Sequence, residues 1–117
     1  MKLPNGDRAH LGDKIVLYCL NFRQHKGKDK AALFRNRLGI TLENRKKLEN
    51  ALLRAAFTED ATVTMISPYG VHYNTHFFMK TSVGESWVLG CWIVRKDEDF
   101  PRLTNAYPVR KGVRNDD

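Results

Sequence analysis

The chain has 117 residues, of which 42% are hydrophobic and 28% charged. That suits one modest core under a wet surface and leaves no room for two sizeable domains. Twenty Lys and Arg against thirteen Asp and Glu give a net charge of +7, which points to anionic partners: nucleic acid, an acidic protein or an acidic lipid surface. The longest wholly apolar run, Ile15 to Leu20, is far too short to span a membrane.

Asp13 can cap a short helix over Ile15, Val16, Leu17, Cys19 and Leu20, followed by a polar loop from Asn21 to Gly27. A second helix is expected from about Lys28 to Leu38, with Ala31, Phe34 and Leu38 on one side and Lys30, Arg35 and Arg37 towards solvent. Gly39 then supplies the left-handed residue that ends it. Thr41 reads as the N-cap of a third helix reaching about Ala56. Its Leu48, Ala51, Leu52, Ala55 and Ala56 follow the i, i+3, i+4, i+7, i+8 pattern of one buried stripe.

From Ala61 the period changes. Thr62 to Ile66 is β-branched-rich and ends at the turn Pro68-Tyr69-Gly70, with Val71 to Met79 as the return strand. A turn over Ser82-Val83-Gly84-Glu85 leads to Trp87–Val94, the most apolar strand, expected at the sheet centre. After the loop Asp97 to Pro101, Leu103 to Tyr107 forms a fourth strand, and the tail from about Gly112 is expected to be disordered. The expectation is therefore a single α+β domain over residues 1–117, in which about three N-terminal helices pack on one face of a roughly four-stranded antiparallel sheet.

The charge is concentrated. Asn21 to Arg54 holds ten basic residues against Asp29, Glu43 and Glu49, a local excess equal to the whole net charge. Such a segment is either a solvated helical surface or a field that draws polyanions to one side of the fold. Within it, the loop His25-Lys26-Gly27-Lys28-Asp29-Lys30 runs into a helix start, where backbone N–H groups, the helix dipole and three lysines all favour a phosphate. Arg35 adds a further cation on the same helix.

His72 and His76 have HxxxH spacing, but in a strand four residues span about 13 Å, so the pair cannot share an ion, and no metal is expected. No P-loop, GxGxxG fingerprint or GxSxG elbow occurs, so no cofactor is expected either. Cys19 and Cys91 form no CxxC, which argues against a disulfide framework or a zinc ribbon, and both read as buried, inert thiols. The N-terminus lacks the apolar core of a secretory signal, and the expected location is the cytoplasm, with no membrane partner.

On the last strand, Arg102, Thr104 and Tyr107 combine a phosphate fork, a hydroxyl donor and a phenol. Strict alternation sets Tyr107 on the face opposite Arg102 and Thr104, so all three share a face only if the strand bends or bulges before Pro108. Metal-free RNA cleavage through the 2′-OH needs a base, an acid and cations for the developing phosphorane charge, and this chain owns residues of each type.

The stretches Leu3-Pro4-Asn5-Gly6-Asp7-Arg8-Ala9, Gly27-Lys28-Asp29-Lys30-Ala31 with Phe34 and Leu38-Gly39, Tyr69-Gly70 with Tyr73, and Trp92-Ile93-Val94-Arg95 through Glu98-Asp99-Phe100-Pro101-Arg102-Leu103-Thr104 resemble a small bacterial domain family of unknown function, over nearly the whole chain up to Tyr107. The resemblance implies a toxin-like protein paired with a very small acidic, antitoxin-like protein. It also implies similarity to the barnase–EndoU–colicin–RelE ribonuclease superfamily, which cleaves RNA without a metal using an N-terminal helix and the sheet. Carried onto this chain, Lys28 and Lys30 would be the helix contributors and Arg102, Thr104 and Tyr107 the strand contributors. The resemblance also implies a proton-transferring His where this chain has Asp29, so that nearby His25 would have to substitute for it, or Asp29 itself would move the proton.

The sequence thus leads to an expected RNA endonuclease, the toxin half of a toxin–antitoxin pair. Its expected catalytic residues are His25, Asp29, Thr104 and Tyr107, and its expected phosphate-binding residues are Lys26, Lys28, Lys30, Arg35 and Arg102. The rival expectation is a basic protein that binds nucleic acid or an acidic protein without catalysis.

Overall fold

In the computed structural model, which describes residues 1–22 and 28–110, the helices come first and the strands follow. A five-residue π-type helix at Ile15–Cys19 is followed by α1 (Lys28–Leu38) and α2 (Lys46–Thr58). Strands β1 (Ala61–Ser67), β2 (Gly70–Lys80), β3 (Glu85–Arg95) and β4 (Pro101–Val109) then form one antiparallel sheet in chain order. This is the expected α+β fold, with the apolar β3 an interior strand. His25, Lys26 and the expected tail from Gly112 lie outside the described residues.

Local chemistry sets the element ends. Gly39 takes φ +66°, and the Gly39 and Ile40 amides donate to the carbonyls of Arg35 and Phe34, which closes α1. Thr41 does not open α2 directly. A 3₁₀ turn over Leu42–Asn44 intervenes, because the Asn44 side chain accepts from the Thr41 amide at 2.8 Å and donates to the Gly39 carbonyl at 2.9 Å. The first helix also departs from expectation: Lys14, not Asp13, occupies its N-cap position, without a side-chain cap, while Asp13 contributes its carbonyl to the Leu17 amide.

In an antiparallel ladder, paired residues project to the same face. One face carries Tyr73, Thr75 and Phe77 of β2 beside Trp92, Gly90 and Val88 of β3, then Leu103, Ala106 and Pro108 of β4. The helices cover this face. Leu48, Leu52, Ala55 and Ala56 of α2 and Ala31, Phe34 and Leu38 of α1 are buried, and all but Ala31 belong to the same core cluster as Trp92 and Leu103. Gly90 leaves room for close packing here, since a Cβ would lie 3.0 Å from Thr75 Oγ1 and 3.2 Å from Leu52 Cδ2. The second face carries His72, Asn74 and His76, then Ile93, Cys91 and Leu89, then Arg102, Asn105 and Tyr107.

β4 reaches from Pro101 to Val109, longer than alternation suggested, and includes two prolines. As the last strand of the sheet it tolerates residues that cannot donate to a second ladder. Its outer edge takes up the N-terminal segment instead: the His10 amide donates to Pro101 O and the Leu103 amide to His10 O, both at 2.9 Å.

Candidate functional site

The strand contributors are arranged by a β-bulge. Cys91 pairs with Asn105 and Trp92 with Leu103, so Thr104 is the extra residue in β4. This inserted residue shifts the alternation, and Arg102, Asn105 and Tyr107 come to lie on one face. The bend that the Arg102–Tyr107 pairing required is therefore present, three residues before Tyr107.

At the Tyr107 end of β4, three elements converge. Lys30, in the first turn of α1, places its ammonium 5.5 Å from the Tyr107 ring centre and 4.9 Å from that of Tyr18 on the π-type helix. Both distances are within cation–π range. Lys30 is half-buried here, where a solvent-facing side chain was expected. Burial, and then the neighbouring Cys91, push the Tyr107 phenol above its ordinary value, which favours its neutral, protonated form. Cys19 is buried and Cys91 half-buried, and burial pushes each thiol up to about 11 despite the opposing charge of Lys30. Cys19 is thus buried as its apolar setting suggested, whereas Cys91, expected to be buried too, is only half-buried.

Asp29, in the first turn of α1, is exposed. Lys28 begins the same helix. Arg35 is exposed on α1, with its guanidinium carbon 4.7 Å from the Phe22 ring centre. The structure thus brings Lys30 to Tyr107, with Asp29 adjacent in the chain.

Arg102 and Thr104 sit towards the other end of β4 and have different neighbours. Arg102 Nε and Nη2 donate to Glu98 Oε1 and Oε2 at 2.8 and 2.7 Å, a bidentate pair. The fork expected to hold phosphate thus holds a carboxylate of its own chain, and those hydrogen bonds draw Glu98 below the usual carboxylate range. The guanidinium also lies 5.0 Å from the Phe100 ring centre, and Phe100 meets His10 at 4.5 Å. The two motif segments lock together here: Arg8 Nη2 donates to Asp99 Oδ2 at 2.8 Å and Asn5 Nδ2 to the Asp99 carbonyl at 2.6 Å.

Two contributors escaped the sequence reading. Tyr18 lay inside an apolar run and carried no polar signal of its own, and His10 followed a motif whose role was not apparent. His72 and His76 are strand residues on one face of β2, as their periodicity implied.

Fold and site together define a small basic α+β domain with a cation held between two phenols where a helix start meets a sheet edge. The chain belongs to the family described as a domain of unknown function (DUF6883), whose model matches residues 2–110. No curated protein and no solved structure matches it. No helix among the described residues is long and apolar enough to cross a membrane.

Proposed function

We propose that this domain binds RNA at the Lys30–Tyr107 end of β4 and cleaves it by attack of a 2′-OH on the adjacent phosphorus. The observation that supports this reading is the Lys30 ammonium held within cation–π distance of both Tyr18 and Tyr107. Lys30 stabilises the charge that develops on the phosphorane, and the Tyr107 phenol donates its proton to the departing 5′-oxygen. The proton of the attacking 2′-OH goes to Asp29 or to His25. The products are a 2′,3′-cyclic phosphate and a 5′-OH. Lys26, Lys28 and, in the last turn of α1, Arg35 serve as phosphate contacts, and Arg102 shapes β4 through Glu98. In this reading the protein is the toxin half of a cytoplasmic toxin–antitoxin pair, and a small acidic protein neutralises its +7 charge.

The engagement of Arg102 by Glu98 favours a second reading, a basic protein that binds nucleic acid or an acidic partner without catalysis. Incubation with labelled total RNA in EDTA separates the two. The first reading predicts discrete fragments with cyclic phosphate ends, lost in Lys30→Ala. The second predicts intact RNA and salt-dependent binding.

A further inference from the structure

A cleft of about 760 Å³ opens at the Arg102 end of β4, distinct from the Lys30–Tyr107 end. It lies between the N-terminal segment around His10 and Lys14, the β1–β2 turn at Tyr69, and the end of β3 at Arg95 and Lys96. Its size is that of a pocket for a nucleotide-sized group. Buried Ile93 and half-buried Thr104 also line it.

Three features give the cleft a chemical character. Lys14, Arg95 and Lys96 are exposed, and among the described residues none is in an ion pair, whereas Arg102 is already paired with Glu98. Tyr69 is 77% exposed at a turn pinned from behind, since its carbonyl accepts from the Lys96 amide at 3.2 Å. A large ring held out to solvent beside cations is free to stack on a base. Asp13 and Asp97 also line the cleft, and as acceptors they suit the exocyclic amino groups of bases.

We infer that this cleft is a subsite for single-stranded RNA, with Tyr69 stacking on a base and Lys14, Arg95 and Lys96 holding the flanking phosphates. The inference rests on the RNA reading above and extends it. With a strand rise of about 3.3 Å per residue, Arg102 and Tyr107 are about 13–17 Å apart along the same face of β4. One RNA strand running along β4 therefore occupies the cleft and the cleavage end together. A plain basic surface has no use for Tyr69. An acidic protein partner would engage the three cations and gain little from an aromatic platform flanked by two carboxylates.

The test uses a fluorescein-labelled, fully 2′-O-methylated 12-nucleotide RNA, which has no free 2′-OH and so reports binding alone by anisotropy. Tyr69→Ala is expected to weaken binding about 5- to 160-fold, since stacking contributes about 1–3 kcal/mol per base. Tyr69→Phe is expected to keep wild-type affinity. Arg95→Ala with Lys96→Ala is expected to flatten the slope of log affinity against log salt by about 1.4. All three variants change exposed residues, and unchanged thermal melts verify their folding. Binding that depends on Tyr69 supports the subsite even if natural RNA is never cut, in which case the cleavage reading alone fails. RNA binding unaffected by Tyr69→Ala and by the Arg95/Lys96 pair overturns the subsite, whatever the cleavage assay shows. Absence of any RNA binding by the wild-type protein overturns both.

Discussion

Replacing Thr75 with Val removes one atom's function from the centre of the core while keeping its shape. Thr75 and Trp92 are both 0% exposed, on the helix-covered face of β2 and β3, and Trp92 Nε1 donates to Thr75 Oγ1 at 3.0 Å. The valine methyl fills the space of the hydroxyl and leaves the indole N–H without an acceptor. An orphaned buried donor costs about 1–3 kcal/mol. With an unfolding entropy of about 2.1 cal/mol/K per residue over 117 residues, each kcal/mol lowers Tm by about 4 °C. Thermal unfolding followed by circular dichroism should therefore show a fall of about 4–12 °C for Thr75→Val. In a Trp92→Phe background no donor is left to orphan, and the same substitution should be nearly neutral. An equal loss in both backgrounds would refute the reasoning, because the cost would then come from packing rather than from the hydrogen bond.

Further outcomes follow from other contacts. Gly39→Ala forces an L side chain into φ +66° and sets its Cβ against Val83 Cγ2. The backbone part alone costs about 1–2 kcal/mol, so Tm should fall in Gly39→Ala, and Val83→Ala should restore only part of the loss. Cys19 and Cys91, each raised to about 11, should be about one part in a thousand thiolate at pH 8. An aromatic disulfide reagent should therefore label the folded protein slowly at that pH and the denatured protein fast, whereas rapid labelling of folded protein would contradict the burial. Hydrogen bonds from Arg102 and Arg8 hold Glu98 and Asp99 below the usual carboxylate range. Their contribution to stability is present above the unfolded carboxylate pKa and is lost as pH falls through the lowered folded values. Glu98→Gln should thus narrow the stability difference between neutral and acid solution, read from denaturant midpoints at pH 7 and pH 3.

Periodicity within single elements was the most readable part of the sequence. Of the stripe Leu48, Ala51, Leu52, Ala55 and Ala56 on α2, all are buried except the half-buried Ala51; Gly39 takes the left-handed conformation, and the strand centres lie where β-branched and aromatic residues cluster. Element ends were less readable, because they depend on groups from elsewhere in the chain. The Asn44 side chain inserts a turn before α2, and β4 starts at Pro101 because that residue pairs with Val94 of β3.

The candidate site was readable in composition but not in arrangement. Lys30 and Tyr107 were both singled out, yet their meeting with Tyr18 depends on how three elements far apart in sequence pack together. The bulge at Thr104 is a property of the β3–β4 register and cannot be read from β4 alone. The capture of Arg102 by Glu98 depends on how the β3–β4 loop folds back, and a motif in one dimension does not distinguish a phosphate fork from an internal lock.

The most direct test of the central claim is a defined RNA oligonucleotide compared with the same sequence carrying 2′-deoxyribose throughout, both incubated in EDTA with wild-type protein and with Tyr107→Phe. The account predicts that wild-type protein cuts only the ribo form and leaves a 2′,3′-cyclic phosphate. It also predicts that Tyr107→Phe, deprived of the proton donor, cuts about 10²–10⁴-fold more slowly. Cleavage of the deoxy form, or equal rates for wild type and Tyr107→Phe, would contradict it.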